Sequence, residues 1–348
     1  MHSFFSEIFA QVPLIQAPMA GAQDEELAIA VARAGGVGSI PCAGLNPKEV
    51  LASAVRFKAK TDGPLNLNFF CHPQTDHDPK REAVWLQELQ RFYDELSLAP
   101  DYATGSLPNA LNTAMVDVVC AIKPAVVSFH FGLPASHLMG RLRETGAKII
   151  ATATTVAEAV FLEKNGCDAV IAQSQDAGGH QGMFLQTDIP DRLSTLELIA
   201  RFARELRRVP VIAAGGIADA NAIRTVMDGG AAGVQVGTRF LKSPEAKITP
   251  LHLATLTGGQ DRETAITNVF TGRPARGFVN RLVREIGPIN PNVPAFPFAI
   301  SALAPLKSAT AGTEDFLSMW AGEGWRTGEI KAAAAIVEEL AKGFVPPS

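Results

Sequence analysis

The chain has 348 residues, of which 47% are hydrophobic and 19% charged, with a formal net charge of −4. This length fits one large barrel with an insertion or two ordinary domains, and so few charges suit a parallel sheet buried in a helical shell. The negative balance, with no basic tract, argues against nucleic acid and anionic membrane surfaces as partners.

At the N-terminus, residues 1–7 lack a basic n-region and meet an acid at Glu7, so no signal peptide is expected. No apolar run approaches the roughly 20 residues that cross a bilayer. The expectation is a cytoplasmic protein without membrane contact. Short apolar runs at 14–17, 36–40, 65–69, 125–129, 148–152, 169–173, 211–214 and 233–237 are read as eight strands. They are too continuously apolar for half-exposed strands and suit parallel strands covered on both faces. Helical patterns separate most of them. The helix at 25–34 is capped by Asp24 and stopped by Gly35, that at 155–164 ends at Asn165-Gly166, and that at 220–227 is capped by Asp219. Eight alternations predict a (β/α)8 TIM barrel.

Two stretches exceed a minimal barrel. Residues 71–124 read as a loop, a helix at 81–96, a break at 100–108 and another helix. Residues 241–312 read as a mostly helical cap inserted after the eighth strand. The expected organisation is a barrel over 1–240, the cap over 241–312 and a return to the barrel over 313–348. The cysteines at 42, 71, 120 and 167 show neither CxxC nor short Cys–His spacing, so neither a zinc site nor a disulfide is expected.

In such barrels the chemistry sits at strand C-termini. The seventh strand runs into Gly215-Gly216 and the eighth through Gln235-Val236-Gly237-Thr238. Glycines let backbone N–H groups approach an anion, and a following helix N-terminus favours it. These loops are read as a phosphate site, for a flavin or a sugar phosphate; the plainer alternative is two tight turns. After the sixth strand, Gln173 leads to Ala177-Gly178-Gly179-His180. His180 has the place and near-neutral titration of a proton acceptor, or it anchors its loop. His130 lines the pocket or is a core histidine. His72 and His77 read as surface or lid residues. After the first strand, Ala17-Pro18-Met19 leave room for a flat ring. Asn66 and Asn68 share one face of the third strand, where buried amides need partners.

Together with residues 14–19, 173–182, 214–217, 235–239 and Thr271-Gly272-Arg273-Pro274-Ala275-Arg276, the chain resembles the nitronate monooxygenases, formerly 2-nitropropane dioxygenases. Val127 to Pro134 is similar to their class I branch. The resemblance implies FMN in the barrel mouth, no metal, and oxidation of alkyl nitronates with O2 to a carbonyl product and nitrite. It assigns catalysis to His180, as a base on neutral nitroalkanes or a holder of the nitronate. FMN contacts carry over to Asn68, Gln173, Gly178, Gly215 and Gln235, Val236, Gly237 and Thr238, with Met19 and Gly216 as neighbours. Ala17, Pro18 and Gly179 complete the cofactor set, and His130 is placed on the substrate side. The chain departs from the family at Gln175-Asp176, and at Glu323, where glutamine is frequent. A homodimer is left open. The nearest rival is an NAD(P)H-dependent flavin reductase, either a quinone reductase or a flavin-type enoyl-ACP reductase. A flavin-free sugar-phosphate lyase and a non-catalytic flavin sensor are more distant.

Overall fold

The computed structural model describes residues 2–100, 107–186, 189, 193–259 and 261–345. Its strands are β1 (Leu14–Gln16), β2 (Gly38–Pro41), β3 (Leu65–Phe70), β4 (Val126–His130), β5 (Lys148–Ala153), β6 (Ala169–Gln173), β7 (Gly179–His180), β8 (Val211–Ala214), β9 (Gly233–Val236), β10 (Thr264–Thr267) and β11 (Ala275–Phe278). Eight are parallel neighbours in the order β1-β9-β8-β6-β5-β4-β3-β2. A parallel bridge between Ile15 and Val37 joins the ends and closes the ring. This is the expected (β/α)8 barrel.

The helices are α1 (Ser3–Glu7), α2 (Glu25–Arg33), α3 (Pro47–Lys60), α4 (Pro79–Glu95), α5 (Thr113–Ile122), α6 (Ser136–Glu144), α7 (Val156–Lys164), α8 (Thr195–Glu205), α9 (Ala220–Asp228), α10 (Pro250–Thr257), α11 (Arg281–Ile286), α12 (Ala299–Ala309) and α13 (Ala333–Ala341). Local chemistry sets many of their starts. Asp24, Thr155 and Asp219 each accept a first-turn N–H, and Asn46 and Ser194 form capping boxes. Gly35, at φ 91°, follows α2 in the left-handed conformation that ends a helix. The second strand begins at Gly38 rather than at 36, because the N–H of Gly36 still bonds Val31 O in the turn. The predicted break at 100–108 falls mostly on residues 101–106, outside those described.

Three apolar assemblies position the mouth. Outward strand residues such as Leu14, Leu67, Val127 and Val234 pack under the helical shell, which α13 completes through Ala333, Ile336, Val337 and Leu340. Inward residues Ile15, Val37, Val126, Ile150, Ile171 and Ile212 fill the barrel, and Phe4 and Phe5 of α1 join them. A further core joins α4 (Trp85, Leu89, Phe92, Tyr93) to the segment after β9 (Phe270, Leu282, Ala302, Leu303, Leu306). The two long insertions therefore pack on each other, and Tyr93 donates to Ala302 O at 2.6 Å.

The segment after β9 contains α10, α11 and α12, and also an antiparallel ribbon. β10 pairs with β11, and β11 pairs with β7, placing Ala275 opposite His180 and Arg276 opposite Gly179. All four cysteines are free. Among the described residues no helix is long and apolar enough to cross a membrane.

Candidate active site at the barrel mouth

Strand alternation makes the barrel interior change character along its axis. Below are the apolar residues named above. Toward the C-terminal ends the inward positions become Ser39, Asn66, Asn68, Ser128, Thr152, Gln173 and Gln235, as parallel register requires. Most are satisfied internally: Asn66 Nδ2 donates to Ser39 Oγ at 2.9 Å, and Asn68 Nδ2 to Ser128 Oγ at 2.9 Å. Two are not. Among the described residues Asn66 Oδ1 and Gln235 Oε1 are buried without a partner. Both are carbonyl oxygens, so whatever satisfies them must donate a proton.

Above this layer the glycine loops close on one another. A Cβ on Gly178 would stand 2.6 Å from Gly322 N, 2.8 Å from Ala321 C and 3.0 Å from Thr238 Oγ1. A Cβ on Gly215, at φ 125°, would lie 2.2 Å from Ser174 Oγ. Gly237 faces Ala17 and Met19 in the same manner, at 3.3 and 3.6 Å. The loops after β1, β6, β8 and β9 thus meet over the mouth with small residues at their contacts. Thr238 Oγ1 accepts from Gly322 N at 3.0 Å, which brings in the C-terminal segment as well. Val236 buries its side chain under the helical shell and offers the mouth only backbone, with its carbonyl accepting from Ala17 N.

His180 is held from several sides. Its carbonyl accepts from Gln173 Nε2 at 2.9 Å and lies 3.1 Å from His130 Nε2. Gln173 Oε1 accepts from Gly182 N at 2.7 Å, so one amide clamps both flanks of the turn. His130 has Thr152 Oγ1 at 3.2 Å on Nδ1, which leaves both its ring nitrogens engaged within the protein. The His180 ring has Thr271 Oγ1 2.9 Å from Nε2. Around it stand Phe131, Phe296 and Trp320, with ring centroids 5.9, 5.6 and 5.5 Å away.

One cation enters this chamber. The Arg273 guanidinium lies 4.2 Å over the Phe131 ring and 6.0 Å over Phe296, and donates to Met183 O at 2.9 Å. The buried Glu158 carboxylate acts on it through its field, with no ion pair between them among the described residues. Burial lowers the Arg273 pKa. Burial also pushes His180 down to about 3, with help from His130 and Arg273, and brings His130 and His72 to about 4. The imidazoles are therefore neutral at physiological pH beside a guanidinium that is not. Such a chamber can accommodate a small organic anion with an apolar body.

The predicted site residues converge, with one revision. His72 is not a surface residue: it is 8% exposed and packs on Phe296 with centroids 4.9 Å apart. His77 does stay near solvent, 2.8 Å from Glu82. The placement of Thr271, Arg273, Phe296 and Trp320 around His180 was not evident in the sequence, because they come from the segment after β9 and from the C-terminal segment. The available signal was the run from Thr271 to Arg276, two cationic residues in an apolar setting. Its second arginine ties the two unusual positions together: Arg276 donates to Gln175 O at 2.5 Å and to Glu323 Oε1 at 2.9 Å.

The family model described as nitronate monooxygenase matches residues 2–343. A nitronate monooxygenase from Pseudomonas aeruginosa is 36% identical over 95% of this chain and 95% of its own length. One from Paraburkholderia phytofirmans is 35% identical over 94% and 91%. Among solved structures, a nitroalkane oxidase from Streptomyces ansochromogenes superposes with a TM-score of 0.88 at 34% identity, covering 98% of this chain and 99% of the other. FabK from Thermotoga maritima gives 0.73 at 25% identity, covering 99% and 96%.

Proposed function

We propose that this chain, which belongs to the nitronate monooxygenase family of oxidoreductases, holds FMN at the barrel mouth and oxidises small alkyl nitronates with O2 to a carbonyl product and nitrite. The observation that carries the anion half of this reading is Arg273, a half-buried guanidinium over the Phe131 ring, sharing an aromatic chamber with a neutral His180. The orphaned carbonyls of Asn66 and Gln235 support the cofactor half, since a flavin ring edge brings an N–H donor.

The residues present fit such a group. Gly178, Gly179, Gly215, Gly216, Gly237 and Thr238 would hold its phosphate through backbone N–H groups and one hydroxyl. Ala17, Pro18 and Met19 would flank its ring, with Asn68, Gln173 and Gln235 on the polar side. When bound, the flavin supplies electron transfer between substrate and O2. The chain supplies placement. Arg273 attracts and orients the nitronate charge, and His180 reaches the same anion. Phe131, Phe296 and Trp320 exclude water and so strengthen both contacts. His130 and Gln173 act through His180, by fixing its backbone.

The test is the visible spectrum of the purified protein, then oxygen uptake with propionate 3-nitronate. A flavin spectrum and nitrite release matching oxygen uptake are expected. A colourless protein whose Tm does not rise with FMN overturns the cofactor assignment. Rapid anaerobic bleaching by NADH or NADPH, without oxygen uptake on nitronate, overturns the activity in favour of a flavin reductase. A yellow protein without turnover leaves a flavin-binding sensor.

A further inference from the structure

The ring of His180 can serve an anion in two incompatible ways. With Nδ1 bare it accepts a proton; with Nδ1 protonated it donates a hydrogen bond. The geometry around Thr271 distinguishes them. Thr271 is 7% exposed, and its Oγ1 lies 2.9 Å from His180 Nε2. The same oxygen lies 3.4 Å from the Arg273 backbone N–H, which can only donate to it, and 3.4 Å from Arg273 O. The hydroxyl has a single proton to place. A contact of 2.9 Å is a good hydrogen bond, whereas 3.4 Å exceeds the usual O–H···O range of about 2.5–3.0 Å. If Nε2 carried the hydrogen, the hydroxyl would accept from both N–H groups and have only Arg273 O, at 3.4 Å, for its own proton; with Nε2 bare it accepts from Arg273 N–H and donates at 2.9 Å, the better-satisfied arrangement. The other nitrogen carries the hydrogen. Nδ1 has no partner among the described residues and is not among the sealed polar atoms, so it opens into the chamber.

We infer that Thr271 is a positioning residue that holds His180 in the Nδ1–H tautomer, so that the ring presents a hydrogen-bond donor to an anionic substrate rather than a base to a neutral one. This rests on the reading of the site as a nitronate site. Arg273 complements the assignment, because a guanidinium beside the ring disfavours imidazolium and favours a bound anion. Thr271 cannot drift from the ring. The ribbon pairs Ala275 with His180, and Gln181 N donates to Pro274 O at 2.8 Å.

The test needs no turnover. Protein labelled with nitrogen-15 in histidine is examined by long-range proton–nitrogen correlation, with His180→Asn identifying the signals. A pyrrole-type Nδ1 and a pyridine-type Nε2 are expected for His180; the reverse pattern overturns the inference. Thr271→Val removes the hydroxyl at nearly equal volume and should release the Nδ1–H preference, while Thr271→Ser should restore it. An unchanged Nδ1–H pattern in the valine variant assigns the tautomer to something else and also overturns the proposal. Kinetics add an independent reading. Loss of a hydrogen bond to a charged ligand corresponds to roughly a 10- to 100-fold rise in KM, so Thr271→Val should raise KM for preformed propionate 3-nitronate by that order, with the serine variant near the parent. Parent protein with no nitronate turnover defeats the proposed function, yet the nitrogen shifts still decide the role of Thr271.

Discussion

Replacing Arg273 by methionine removes a cation while keeping an unbranched apolar stem over the Phe131 ring. The hydrogen bond to Met183 O and the stacking at 4.2 Å are lost. A hydrogen bond from a charged group contributes about 1.5–3 kcal/mol and a desolvated cation–π contact about 2 kcal/mol. Against this, the variant no longer desolvates a charge, the larger influence on Arg273, so the two effects partly offset. At the entropy scaling of globular proteins, each kcal/mol shifts the Tm of a chain this long by only about 1–2 °C. Stability should therefore change little. Substrate binding should not be so spared. A hydrogen bond to a charged group contributes about 1.5–3 kcal/mol, so KM for a nitronate should rise roughly 10- to 100-fold, with kcat affected less. Arg273→Lys restores charge without the planar fork and should recover part of the loss. Oxygen-uptake kinetics with propionate 3-nitronate, alongside thermal melts and flavin content, give the full comparison. A variant that keeps both flavin and the parental KM refutes the anion-recognition argument.

Three other expectations follow from particular contacts. Gly178→Ala should abolish flavin retention, because its Cβ meets the backbone at Gly322 N and Ala321 C; Gly179→Ala, with open space around it but φ 73°, should cost only about 1–3 kcal/mol in a denaturant titration and keep the flavin. Glu158 is fully buried and accepts from Thr154 N, Thr154 Oγ1, Phe184 N and Leu185 N, so Glu158→Gln sets an amide donor against donors and should lower stability by about 1–3 kcal/mol, an effect that an unchanged urea midpoint would contradict. Burial pushes His72, His130 and His252 down from 6.5 to about 4 and His180 to about 3. The unfolded chain then binds more protons than the folded one below pH 6.5, so stability should fall as the pH drops through 6.5 and keep falling to about 4. A stability–pH curve flat over that window in apoprotein would show that these rings are not held neutral.

The barrel was legible in the sequence because its determinants are local. Each strand is a short apolar run, and helix caps such as Asp24 and Asp219 act within a turn of themselves. The glycines at 178, 215 and 237 were equally visible, since a strand-end glycine signals close approach whatever it approaches. Less was visible of what surrounds His180. Thr271 touches it across 91 residues of sequence. The two-residue strand β7 that brings them together has no periodicity of its own. His72 read as a surface or lid residue because nothing nearby in the chain announces Phe296, which buries it. By itself the sequence determined a (β/α)8 barrel, a glycine-cradled mouth and a histidine at its rim. Only the tertiary structure decided that this histidine is neutral, that a guanidinium stands beside it, and that a threonine hydroxyl lies 2.9 Å from its Nε2. Desolvation and hydrogen-bond direction depend on every group packed against an atom, and most of those groups come from distant parts of the chain.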